Sequence, residues 1–140
     1  MSGARELVQR LQDKGIFVAI VSAGVDLFVA SIAAMLKVDD WIANGFVFNE
    51  DDTLSDEGVC RLHATGKGEI IERLLEMNNL QPEGCVSFGD SEMDLSMHIE
   101  GGHFIGFNPT RDSSVSSFEE AGVPIVMGKN LLDVAPYLGV

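Results

Sequence analysis

The sequence predicts an α/β fold of 140 residues, with a mainly parallel sheet between two layers of helices. Three observations carry that expectation. Helix and strand signals alternate along the whole chain, which is the pattern of βαβ units. The strand candidates are continuous apolar runs, as required where helices cover both faces of a sheet. The length suits one domain with its own core, and no apolar run approaches the ~20 residues needed to span a bilayer.

Residues 4–13 place Leu7, Val8 and Leu11 at helical spacing, and Lys14-Gly15 ends the run. The run "IFVAIVS", 16–22, is β-branched and aromatic throughout and reads as a buried strand broken by Gly24. Residues 26–37 follow as a helix with Asp26 at the N-cap, apolar on nearly every side and therefore expected to be largely buried. In "NGFVFNEDDTLSDEG", 44–58, two short apolar pieces flank an acidic turn, so a small surface hairpin is expected. The next helix spans 66–78, with Ile70, Ile71, Leu74 and Leu75 as its inner stripe. Strand 85–88, a helix near 92–99, strand 103–107, a helix over 112–121, a short strand 124–127 and a helix over 130–138 capped by Asn130 complete the series.

The net charge is -13, without a Lys/Arg cluster, which argues against nucleic acid as a partner. An anionic ligand must then be met by a few local donors rather than by a general field. Cys60 and Cys85 lack metal-ligand spacing, and Cys85 opens an apolar run as a small buried residue. The segment "MSGARELVQRLQDKG" is amphipathic and mixed in charge, unlike a secretory leader, so a cytoplasmic protein without membrane contact is expected.

Parallel sheets bind ligands beyond the carboxyl ends of their strands. Ser22, Ala23 and Gly24 follow the first strand there and offer a hydroxyl and free amides to an anion. After the second strand come Asp90 and, one turn on, Asp94, hard oxygen donors suited to Mg2+, which takes only one or two carboxylates. Asn108 and Arg111 follow the third. Lys67 begins a helix, where the macrodipole disfavours a cation, so it needs another partner; Gly66 and Gly68 allow close backbone approach around it. His63, His98 and His103 share no ligand spacing, and Glu92 reads as solvated.

Together these segments resemble the haloacid dehalogenase-like superfamily, and within it the phosphoserine phosphatase-like branch. "VAIVSAGVD" (18–26), "ATGKGEIIERLL" (64–75) and "SFGDSEMDLSM" (87–97) are similar to its second, third and fourth motifs, and "GGHFIGFNP" (101–109) to the strand that follows. The resemblance implies Mg2+-dependent phosphomonoester hydrolysis through an aspartyl-phosphate, with a small phosphorylated metabolite as substrate. It implies that Ser22, Ala23, Gly24 and Asn108 bind phosphate. Lys67 would neutralise the phosphate and Asp90 hold the metal. Asp94 would support the metal waters or orient Lys67.

Two departures bear on that reading. The DxDx(T/V) motif that carries nucleophile and acid in the family is absent from these 140 residues, as is room for the family's helical cap. The expectation is a C-terminal portion of a longer protein: an incomplete, Rossmann-like, three-layer sheet lacking its first strand. This form alone is expected to be inactive. Strands 16–22 and 85–88 must then close on each other or leave unpaired edges, and such edges favour strand-borrowing, dimerisation or low stability. Met93 also stands where close relatives carry Asn, which bears on substrate and metal affinity. Without the cap, a sugar phosphate or phosphoglycolate is an alternative substrate. An inactive module that binds metal, phosphate or an assembly partner is the alternative function.

Overall fold

Helices and strands alternate as the sequence predicts, and the computed structural model describes residues 1–140. In chain order the elements are α1 (Ala4–Asp13), β1 (Ala19–Val25), α2 (Asp26–Leu36), β2 (Asp40–Phe48), β3 (Leu54–Val59), α3 (Lys67–Met77), β4 (Val86–Gly89), β5 (His103–Phe107), α4 (Asp112–Glu120), β6 (Ile125–Val126) and α5 (Ala135–Leu138). Residues Glu92–Met97 and Leu131–Val134 form 3-10 turns. The helix expected over 92–99 is therefore tighter and shorter, and the one over 130–138 splits into a 3-10 turn and α5. Asn130 does cap that segment, its side chain accepting from the Leu132 amide.

The strands form two sheets of three, ordered β1-β2-β3 and β4-β5-β6. β1 and β2 are parallel, as are β4, β5 and β6, while β3 returns antiparallel to β2. The expected surface hairpin is thus an extension of the sheet, because β2 begins at Asp40 and pairs along β1 before turning.

Alternation along β5 shows how the layers are built. Ile105 and Phe107 pack with Leu7, Leu11, Val126, Leu131 and Val134. Phe104 packs with Met97 and Phe118, its ring centroid 5.5 Å from that of Phe118. Successive side chains of a strand point to opposite faces, so these are cores on the two sides of one sheet. Both sheets share them: Val18, Val86 and Phe88 join the first core, and Val21 and Ile125 the second.

No ladder joins β1 to β4; each pairs on one side only, with β2 and β5 respectively. Of the two outcomes expected for these strands, unpaired edges is the one observed. Exposed edges carry free backbone donors and acceptors and invite pairing.

Two sequence expectations are corrected. The helix over 26–37 forms, but only Val29 and Ala33 are buried, while Leu27, Phe28, Ile32 and Met35 are exposed. One face rests on β1 and β2 and no element covers the other, so apolar composition overstated its burial. Asp26 is the first helical residue and not the N-cap, which is Val25. Its carboxylate instead accepts from Arg61 Nη1 at 3.0 Å.

Candidate active site

The strand register explains the turn at Ser22–Gly24. β1 pairs Ala19, Ile20 and Val21 with Asp40, Trp41 and Ile42, then resumes with Val25 opposite Asn44. The residues between leave the ladder as a bulge, which re-aims the backbone at the end of the strand. The Gly24 amide donates to Ser22 Oγ at 3.1 Å, closing the turn on itself. The released Ala23 carbonyl accepts from Asn44 Nδ2 at 3.1 Å.

Lys67 opens α3 and is only 9% exposed. Its Nζ donates to Asp94 Oδ1 at 2.5 Å, the partner that its place at a helix N-terminus required. Asp94, 6% exposed, is itself saturated. Its Oδ2 accepts from the Asp90 and Ser91 amides and from Ser91 Oγ, each at 3.1 Å. The carboxylate thus joins the mouth of β4 to α3. A buried charge is tolerated only when paired and hydrogen-bonded, and no buried side-chain nitrogen or oxygen here lacks a partner. Gly68 permits the close approach: a Cβ there would lie 2.4 Å from the Ser96 carbonyl oxygen. Around Gly66 the nearest atom is at 3.7 Å, so only the second glycine is needed for contact.

The structure therefore brings Lys67, Asp90 and Asp94 into one hydrogen-bonded unit at the end of β4. Ser22, Ala23 and Gly24 occupy the corresponding end of β1, and α3 contacts both β1 and the Glu92–Met97 turn. Asn108 follows β5 in a left-handed conformation, with φ 48°, and its amide donates to the Val126 carbonyl. No hydrogen bond links it to the Lys67–Asp94 pair. The Asp90 carboxylate is exposed. Of the two aspartates expected to hold a metal, Asp94 has both carboxylate oxygens engaged and Asp90 is exposed, and no group of three or more His, Cys, Asp or Glu gathers anywhere. Such a sparse, hard-oxygen set fits Mg2+, which keeps most of its waters and takes substrate oxygens. Met93 beside it is 47% exposed.

Sequence reasoning gives no role to three contributors. Ser91 supplies two of the donors to Asp94. Asn44 braces the turn after β1, and Arg61 ties the start of α2 beside it. The one available clue is polar Asn44 inside an apolar run, where the sequence predicts the start of a hairpin.

Glu92 is not simply solvated. Ser114 Oγ donates to its carboxylate, and Ser113 Oγ does so at 3.4 Å. The Ser114 bond, chiefly, holds Glu92 below its ordinary carboxylate range; its own backbone, Ser113 and the Arg111 charge act in the same direction. A depressed pKa means the bond stabilises the fold above the unfolded-state pKa and ceases to do so as pH falls through the folded value. Ser114→Ala is expected to move the Glu92 titration upward, read by carboxyl 13C NMR; an unmoved midpoint would show that Ser114 is not the cause. Both cysteines are free. Burial pushes the half-buried Cys85 thiol up, against a smaller opposing effect from Ser87, which leaves it a poor nucleophile.

Residues 1–98 match the family described as haloacid dehalogenase-like hydrolase. The phosphoserine phosphatase of Methanocaldococcus jannaschii is 32% identical over 105 residues, covering 75% of this chain and 50% of its own length. The human phosphoserine phosphatase is 31% identical over 109 residues, covering 75% and 48%. The chain spans about half the length of these relatives. A solved structure described as a phospho-aspartyl intermediate analogue of phosphoserine phosphatase superposes with a TM-score of 0.84 at 28% identity, over 98% of this chain and 63% of that one. An apo phosphoserine phosphatase superposes equally well, at 0.84 and 27% identity, over 98% and 66%.

Proposed function

The chain belongs to the haloacid dehalogenase-like hydrolase family, and on that premise we propose that it forms the phosphate-holding part of a Mg2+-dependent phosphomonoester hydrolase of phosphoserine phosphatase type. The observation that carries the reading is the buried Lys67–Asp94 pair, whose carboxylate also gathers the amides of Asp90 and Ser91. Lys67 neutralises the phosphoryl oxygens, and Asp94 holds the ammonium in place. Ser22 Oγ and the Ala23 and Gly24 amides receive the same group, with Asn108 contributing from β5. Rigid donors aimed at phosphoryl charge are the main source of rate in such transfers. Asp90 holds the metal, with Asp94 behind it. The ion, when bound, supplies charge neutralisation between phosphate and nucleophile.

The nucleophilic aspartate is assigned to a strand outside these 140 residues. Two features support that assignment: the sequence contains no DxDx(T/V) motif, and β1 and β4 present unpaired edges while sharing two cores. A parallel strand paired with both edges would deliver its carboxyl-terminal side chains beside Ser22 and Asp90. The substrate is a small phosphomonoester, phosphoserine or a similar metabolite.

The test is Mg2+-dependent hydrolysis of p-nitrophenyl phosphate by this chain and by a chain extended with such a strand. Turnover is expected only with the strand, falling about 10²-fold or more in Asp90→Asn. Turnover by the 140-residue form that survives loss of Asp90 refutes the site. Inactivity of both forms, with phosphate binding retained, assigns the inactive binding module instead.

A further inference from the structure

We infer that Asn44 is the positioning residue of the anion-binding turn, holding it in register with the segment that delivers Lys67. The inference rests on the phosphate-binding reading of Ser22–Gly24.

The bulge in β1 creates the need. Between Val21 and Val25 the ladder with β2 is interrupted, and the Ala23 carbonyl has no partner strand. Asn44 stands on β2 where the ladder resumes, and its Nδ2 donates to that carbonyl at 3.1 Å. Fixing the carbonyl of a peptide fixes the direction of the amide in the same plane. The bond to Ala23 O therefore sets the direction of the Gly24 N–H.

The rest of the Asn44 amide reaches the other side of the site. Nδ2 also donates to the Leu62 carbonyl at 3.0 Å. Oδ1 accepts from the Arg61 amide at 2.7 Å and from the Leu62 amide at 3.0 Å. All the hydrogen-bonding capacity of one primary amide is thus in use. Leu62 is 5% exposed and lies in the connection from β3 to Lys67. One side chain consequently pins the turn after β1 and the chain leading into α3.

A second brace runs beside it. Arg61 Nη1 donates to Asp26 Oδ2 at 3.0 Å and to the Ala43 carbonyl at 2.8 Å, tying the start of α2 to β2. Gly45 leaves room for it, since a Cβ there would lie 2.3 Å from Asp26 Oδ2 and 2.8 Å from Arg61 Nη1. The Asp26–Arg61 pair is partly solvent-accessible and therefore weak. Asn44 makes the stronger claim, because it alone engages the phosphate turn itself. Asn is disfavoured within strands, so only a local need of this kind explains it between Ala43 and Gly45.

The experiment compares the chain with Asn44→Ala and Asn44→Leu by 15N/13C NMR while inorganic phosphate is titrated. The wild-type Asn44 NH2 protons are expected to be protected from exchange and coupled through the hydrogen bond to the Ala23 carbonyl carbon. In either variant the Ala23 carbonyl shift moves and the Arg61 and Leu62 amides exchange about tenfold faster. The folded molecules then bind phosphate about tenfold more weakly at Ala23 and Gly24, with β4–β6 unchanged. A purely structural role would lower stability and leave the phosphate affinity of folded molecules within about twofold of wild type; that result overturns the inference. If wild type shows no phosphate response at Ser22–Gly24 or Lys67, the functional reading fails; an unmoved Ala23 carbonyl then overturns the positioning role as well. If neither variant folds, an unprotected, freely exchanging wild-type Asn44 amide overturns it.

Discussion

Asp94→Ala is expected to cost the fold about 3–5 kcal/mol, because it strands a buried ammonium. Lys67 has one acceptor, Asp94 Oδ1, and 11% of its side chain is accessible, too little for water to replace the carboxylate fully. The two partners are unequal. Lys67→Met removes one of four donors to Asp94 and leaves the Asp90 amide, the Ser91 amide and Ser91 Oγ in place. That substitution keeps the apolar stem and is expected to cost about 1–2 kcal/mol, in the range of one hydrogen bond to a charged group. Urea denaturation of both variants reads the asymmetry. Thermal melting of Asp94→Ala is expected roughly 10 °C or more below wild type. Equal losses, or an Asp94→Ala variant within about 1 kcal/mol of wild type, would mean the pair lies open to water in solution.

Gly68→Ala sets two effects against each other. Alanine favours a helix by about 1 kcal/mol over glycine. Its Cβ, however, would lie 2.4 Å from the Ser96 carbonyl oxygen, a backbone atom in the turn that carries Asp94. Such an overlap is relieved only by moving α3 away from that turn, at about 1–3 kcal/mol, and the movement draws Lys67 from Asp94. Net destabilisation of up to about 2 kcal/mol is expected, with the phosphate binding proposed for Lys67 weakened in step. Gly66→Ala is the internal control. Its φ is -104° and its nearest neighbour lies at 3.7 Å, so alanine is accepted and the unfolded chain loses freedom. Gly66 is also the N-cap of α3, where glycine is preferred over alanine, so the two effects oppose each other and a net change within about 0.5 kcal/mol is expected there. If Gly68→Ala proves stabilising in denaturant titrations, the close approach of α3 to Ser96 is not a feature of the protein in solution.

Much of the architecture was legible because local chemistry agreed with the fold. Strand 103–107 has the bounds the sequence predicts: its apolar run is buried on both faces and begins after Gly102. Helix 4–13 likewise carries its core residues at helical spacing and stops at Gly15. The macrodipole argument correctly required a partner for Lys67, since a cation at a helix start is a local anomaly that sequence exposes. The α2 surface went wrong for the opposite reason. Composition reports which residues could be buried, and burial depends on what lies opposite. Leu27, Phe28, Ile32 and Met35 have no element facing them.

Spacing and residue type were enough to read the alternation of elements, the mouths of the strands, and Lys67, Asp90 and Asp94 at one edge of the sheet. Periodicity and turn chemistry act over a few residues and are written directly in the chain. The partners within that set arise from contacts between distant segments. Lys67 and Asp94 are 27 positions apart, and Asn44 reaches back 21 positions to Ala23 and forward 18 to Leu62. No local pattern encodes which acceptor a lysine will find, or that a strand bulge will need a side-chain amide. Packing of the two sheets against shared cores settles both, and the same packing leaves β1 and β4 with their edges unpaired.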